Sequence, residues 1–194
     1  SYRKEYVKYG SDMIFEPLKP GGLFLLKPKI FGDNRGYFLE TFRREYFKEH
    51  GIDTEFVQDN YSFSRKNALR GLHYQAGDSA QAKLITVAHG SILDVAVDLR
   101  KESPSFKEYA AVELNSENHH QLFIPEGFAH GFVVLSEEAA VMYKCSSYYD
   151  PEAERGIRWN DPELNIQWET ETPVLSEKDR ELPLLKEISD RDLF

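Results

Sequence analysis

Lys83-Leu84-Ile85-Thr86-Val87-Ala88-His89-Gly90-Ser91-Ile92-Leu93-Asp94-Val95-Ala96-Val97-Asp98-Leu99 reads as two β-strands with a break between them. Residues 83–88 and 92–99 are rich in β-branched and aliphatic side chains, and His89-Gly90 punctuates. In the second run Leu93, Val95, Val97 and Leu99 share one face. Ile92, Asp94, Ala96 and Asp98 take the other. Working outward, residues 23–26, 109–114, 121–124, 132–135 and 139–145 continue the series. Their spacing of about 8–12 residues, with Gly, Pro, Asn and Ser between, predicts an antiparallel sandwich or barrel. Helical signals lie only at the flanks. Residues 43–50 predict a short helix stopped by Gly51, and Ser176-Glu177-Lys178-Asp179 has the S-x-x-D form of a capping box. The expectation is one all-β domain over residues 1–194 with helical trim.

The whole-chain numbers agree with that reading. At 194 residues the chain is long enough for a core that needs no staples. The single Cys145 excludes an intramolecular disulfide framework and a multi-cysteine zinc site. The charge of −9 disfavours nucleic-acid binding, which needs a broad basic face, but leaves room for a local cation cluster around one small anion. No apolar run is long enough to span a membrane as a helix, and residues 1–10, charged and tyrosine-rich, do not read as a signal peptide. A cytoplasmic protein is the expectation.

Three segments carry groups capable of chemistry. In Leu69-Arg70-Gly71-Leu72-His73-Tyr74-Gln75, strand alternation puts Arg70, Leu72 and Tyr74 on one face, with Leu69, Gly71, His73 and Gln75 on the other. His73 then points into a polar barrel mouth, either as a hydrogen-bonded structural residue or as a working one. Lys83 follows ten residues later, where a hairpin would bring its ammonium level with His73. In Pro125-Glu126-Gly127-Phe128-Ala129-His130, the Pro and Gly form a turn that aims His130 inward. In Tyr143-Lys144-Cys145, Tyr143 and Cys145 share a face. Tyr143 is a packing residue or, beside cations, a proton donor.

The P-x-G-x-x-H core of 125–130 resembles the second motif of the cupin jelly rolls, whose histidine is often a metal ligand. The remaining ligands are missing here: Gln75 stands where the second histidine would be, no glutamate follows at the expected spacing, and His119-His120 point to opposite faces. No metal is expected.

Taken in order, a longer series is far more specific. It runs through Phe31-Gly32-Asp33-Asn34-Arg35-Gly36-Tyr37-Phe38-Leu39-Glu40, Val57-Gln58-Asp59-Asn60 and the Arg70–His73 segment. It continues through Ala80-Gln81-Ala82-Lys83, the 94–100 and 124–132 segments, Tyr143-Lys144, Tyr148-Tyr149 and Trp159-Asn160-Asp161-Pro162 to Leu175-Ser176-Glu177-Lys178-Asp179. From about residue 23 to 185 the chain resembles the dTDP-4-dehydrorhamnose 3,5-epimerases. The resemblance implies a cupin-type jelly roll, free of cofactor and metal, acting as a homodimer on a dTDP-4-keto-6-deoxy sugar. By position, His73 matches the general base, Asp179 its carboxylate partner and Tyr143 the proton donor on the opposite face. Arg70, Lys83, His130, Glu154 and Lys178 match substrate-contacting positions, and Lys83 would be the cation at the enolate. Gln58 and Asn60 match nucleotide contacts, Tyr149 the residue that stacks on the base, and Arg35 and Glu40 nucleotide contacts near the dimer interface. Ala82 departs from the glycine common in relatives. Residues 1–20 have no matching role and are expected to add a strand or arm, or to be disordered. The competing readings are a relative inverting C3 or C5 alone, a metal-dependent cupin, and a non-catalytic sugar-nucleotide binder.

Overall fold

The computed structural model describes residues 13–194, so the first 12 residues of the expected N-terminal arm lie outside the described residues. The strands begin with β1 (Ile14–Pro17), β2 (Phe24–Lys27), β3 (Ile30–Asp33), β4 (Gly36–Leu39) and β5 (Gln58–Arg65). They continue with β6 (Leu69–Gln75), β7 (Lys83–His89), β8 (Ser91–Asp98) and β9 (Tyr109–Asn115). The last are β10 (Gln121–Ile124), β11 (Phe128–Val134), β12 (Glu138–Cys145) and β13 (Glu154–Gly156). A six-stranded sheet has the order β1-β2-β10-β7-β12-β5, and a five-stranded sheet the order β13-β6-β11-β8-β9. All their pairings are antiparallel. From β5 to β13 every connection but β8–β9 carries the chain from one sheet to the other. That is jelly-roll winding.

The alternation read in residues 92–99 is the key to the layers. Leu93, Val95, Val97 and Leu99 pack outward under the C-terminal segment, with Ile157, Leu164, Trp168 and Leu185. Ile92 and Ala96 face inward, where Ile85, Val87, Leu122, Phe132 and Val141 fill the space between the sheets. A third cluster, Phe15, Leu26, Phe47, Leu84 and Phe123, seats helix α1 (Arg44–Glu49) on the outer face of the six-stranded sheet. The six-stranded sheet is thus covered on its outer face only beside α1, with Tyr61, Phe63 and Met142 of β5 and β12 exposed there, whereas β8 in the five-stranded sheet is buried almost throughout. The described part of the expected N-terminal arm is a strand: β1 extends the six-stranded sheet along β2.

Two expectations are corrected. Lys83 does not reach His73 through a hairpin, because β6 and β7 lie in opposite sheets and do not pair. The intervening residues, with a 3-10 turn at Gly77–Ser79, cross from one sheet to the other. The second correction concerns parity along β6. Leu69, Leu72 and Tyr74 all join the outer cluster, while Arg70 and His73 both turn to the interior. Strict alternation fails at a bulge, where the register with β11 shifts between the pairs His130–His73 and Phe132–Arg70. Gly71 makes the bulge possible: its φ is +119°, and a Cβ there would lie 2.7 Å from Gly131 Cα and His130 O.

Candidate active site

Between the sheets lies an open cavity in two adjoining lobes, of about 440 and 240 Å³, which share His73, Lys83 and Tyr143 in their walls. His73 on β6 and His130 on β11 are cross-strand partners in the five-stranded sheet. Lys83 on β7 and Tyr143 on β12 belong to the six-stranded sheet, with the Lys83 ammonium 5.9 Å from the Tyr143 ring centre. The His73 imidazole and the Tyr143 phenol therefore stand on opposite walls of one chamber.

The His73 wall is held from behind. Ser176 caps helix α2 (Glu177–Arg180) by accepting the Asp179 backbone N–H at 3.1 Å, as the capping motif predicts. The reciprocal half of the box does not form. Both Asp179 carboxylate oxygens turn to β6 instead: Oδ1 lies 2.5 Å from His73 Nε2, and Oδ2 accepts the Gly71 N–H at 3.1 Å. An ionised carboxylate only accepts, so Nε2 carries the proton and Nδ1 is left as the basic nitrogen. Burial pushes the Asp179 carboxyl up, but the His73 hydrogen bond and charge, the Gly71 N–H and the Lys178 charge together hold it below its ordinary value.

His130 is bound the same way. Its Nε2 lies 2.6 Å from Oδ1 of the fully buried Asp94, and burial keeps the imidazole easier to deprotonate than usual despite that carboxylate. Asp94 is a site residue that reading motifs one at a time missed. Its signal was there, as one of two charges on the inward face of β8. Lys83 is also buried, which pushes its ammonium pKa down, with partial compensation from Cys145, Asp94 and Glu154. Burial raises the Tyr143 phenol, so it holds its proton at neutral pH.

The mouth of the cavity is polar. Arg70 donates to Ser64 Oγ at 2.9 Å and Phe63 O at 3.3 Å, both on β5. Glu154 accepts from Lys178 at 2.8 Å and from the Tyr149 hydroxyl at 3.0 Å. Burial raises the Glu154 carboxyl, yet these two hydrogen bonds outweigh it and leave the net shift downward. Gln58 donates to Asn60 Oδ1 and accepts the Tyr149 N–H. Tyr61, Gln75 and Gln81 line the same lobe, beyond the contacts that the resemblance implies. Arg35 and Glu40 are not brought to the cavity of the single chain. Arg35 is paired with Asp33 at the exposed tip of the β3–β4 hairpin, and Glu40 is paired with Arg43. Among the described residues, no three His, Cys, Asp or Glu side chains are grouped as metal ligands.

Fold and chamber together define a cupin-type jelly roll with a carboxylate-held imidazole facing a phenol and a buried ammonium across one open cavity. The family description "dTDP-4-dehydrorhamnose 3,5-epimerase" matches residues 18–187. The dTDP-4-dehydrorhamnose 3,5-epimerase of Salmonella typhimurium is 52% identical over 165 residues, 84% of this chain and 90% of that one. The crystal structure of dTDP-6-deoxy-D-glucose-3,5-epimerase from Legionella pneumophila, in complex with dTDP-4-keto-L-rhamnose, superposes with a TM-score of 0.91. It is 46% identical, and the match covers 94% of this chain and 97% of that one. The dTDP-4-dehydrorhamnose 3-epimerase of Streptomyces niveus is 36% identical over 183 residues, 94% of this chain and 88% of that one. This chain belongs to the dTDP-4-dehydrorhamnose 3,5-epimerase family.

Proposed function

We propose that this protein inverts C3 and C5 of dTDP-4-dehydro-6-deoxy-D-glucose to give dTDP-4-dehydro-L-rhamnose, a step of dTDP-L-rhamnose biosynthesis. The observation that carries the reading is the placement of His73, held by Asp179, and Tyr143 on opposite walls of one chamber. C3 and C5 both flank the C4 ketone, so the same carbonyl acidifies both protons. His73 takes each proton through Nδ1, and Asp179 stabilises the imidazolium that results. Negative charge then gathers on O4, where Lys83 is worth about 3–4 kcal/mol by analogy with an oxyanion-hole donor. Tyr143 returns a proton to the opposite face and is left as a phenolate, and inversion follows; the imidazolium then loses its proton to water and the phenolate regains one before the second carbon reacts. Arg70, His130, Glu154 and Lys178 hold the sugar and diphosphate, while Gln58, Asn60 and Tyr149 hold the nucleotide.

The protein is further proposed to act as a homodimer in the cytoplasm. Arg35 and Glu40 stand apart from the cavity of their own chain, which suits a role at a second copy's nucleotide. No described helix is long and apolar enough to cross a membrane, and a charged dTDP-sugar does not cross one unaided. Sedimentation equilibrium tests the dimer, with a monomer at micromolar concentration as the contrary result.

Proton NMR of the keto sugar in D2O tests the reaction. Deuterium entering at both C3 and C5, with the L-configured product, is the expected result. Entry at one carbon supports a mono-epimerase, and no entry overturns both readings.

A further inference from the structure

Gln75 ends β6 at the cavity wall and is buried, at 4% exposure. Among the described residues its carboxamide makes no bond to another side chain and spends itself on backbone. Nε2 donates to Ser79 O at 2.7 Å and to Tyr148 O at 3.1 Å, and Oε1 accepts the Asp150 N–H at 2.9 Å. Two of those partners flank Tyr149 on either side. The Tyr149 N–H itself is taken by Gln58 Oε1 at 3.0 Å. Two glutamines thus fix the two peptide groups on either side of the Tyr149 Cα, while the Tyr149 ring is left more than half exposed over the mouth of the chamber.

We infer that Gln75 is a positioning residue for nucleotide binding, acting through Tyr149: it holds the 148–150 backbone so that the ring stands ready as a flat platform before any ligand arrives. This rests on the proposed function, in which Tyr149 meets the base. The physical argument is preorganisation. A stacking surface already ordered in the free protein spares the ligand the cost of ordering it. Ser79 Oγ also donates to Asp150 Oδ2 at 2.6 Å, but that bond ties a side chain and leaves the peptide groups beside Tyr149 to Gln75 and Gln58. The carboxamide fits the task because it donates twice and accepts once at a single buried point.

Gln75→Leu and Gln75→Glu test this. Gln75→Leu is expected to weaken dTDP binding, and raise KM, by about 10- to 100-fold with kcat changed less than about threefold, since platform loss acts on binding and not on the enolate. Gln75→Glu turns a carboxylate on two carbonyl oxygens, so its dTDP affinity should fall further below wild type as pH rises from 5.5 to 8. A double-mutant cycle with Tyr149→Ala should show that Gln75→Leu adds little once the ring is gone. Wild-type KM in Gln75→Leu, or a fall in kcat at unchanged KM, overturns the inference, as does full additivity in the cycle. Amide exchange at Asp150 reads the positioning without ligand: lost protection in Gln75→Leu supports it, and unchanged protection overturns it. If wild-type protein fails to bind dTDP, the functional reading falls while the exchange result stands by itself.

Discussion

Tyr143→Phe removes one hydroxyl and leaves the ring to pack against the inner core. With His73 intact on the other wall, the enolate should still form and deuterium should wash into the starting sugar. Its proton then returns from the His73 side, so configuration is retained. Exchange without inversion is the expected NMR signature, with net epimerisation down about 10²–10⁴-fold. Equal loss of both would mean that the tyrosine serves binding instead. Lys83 offers the converse test, of function against stability. Its ammonium pKa is lowered in the folded protein, so below the unfolded value of 10.5 the folded state carries the cost of a buried charge. Lys83→Met should therefore raise Tm, by about 2–4 °C for each kcal/mol relieved, while abolishing turnover. A lower Tm would show that Asp94 and Glu154 need the cation more than burial resists it.

At the scale of the element, the bulge in β6 decides which side chains meet. Gly71→Ala places a methyl group 2.7 Å from backbone of β11 at a positive φ. A loss of about 2–4 kcal/mol is expected, read as a lower Tm. Activity should fall as well, because the Gly71 N–H holds Asp179. A wild-type Tm would mean that the two strands can part without cost. The same bulge marks where the sequence stopped being legible. Alternation read β8 correctly on both faces because both are covered by core, and residues 83–88 and 139–145 were equally plain. In β6 a single inserted residue reverses parity, and no residue pattern announces it beyond the glycine. Gln58–Arg65 carries no apolar alternation to mark it as a strand, because its inward side chains, Gln58, Asn60 and Ser62, face the cavity and are polar. The first half of β11 was hidden too, since Gly127 and Gly131 punctuate it; Gly131 is there to let β6 come close. Asp179 was the opposite case. Its residue type and cap position were legible, but the direction of its carboxylate depended on a strand more than 100 residues earlier.

For the whole molecule, acid should be the weak side. Asp98 is fully buried; burial raises its carboxyl, but hydrogen bonds from Arg100, Ser105 and Ser103 prevail and lower it. Asp179 and Glu154 are also lowered. Groups whose folded pKa is depressed contribute stability that is present above their unfolded values of 3.8 to 4.5 and is lost as pH falls through the folded ones. The urea midpoint should hold steady above about pH 5 and drop below about pH 4. A midpoint that stays flat to pH 3 would mean these carboxylates are no better served folded than unfolded. The winding of the chain has another consequence. His73 and Lys83 are close in sequence yet rise from opposite walls, so the separation of their backbones is the spacing of two sheets, about 10 Å in a packed sandwich, and their side chains meet across it in one chamber. A gap of that origin has no hinge. It cannot be opened a little by warming a loop; it lasts as long as the sandwich does. Turnover should survive heating up to the cooperative transition and vanish along the same curve as the far-ultraviolet dichroism, with no temperature at which the protein is folded but idle.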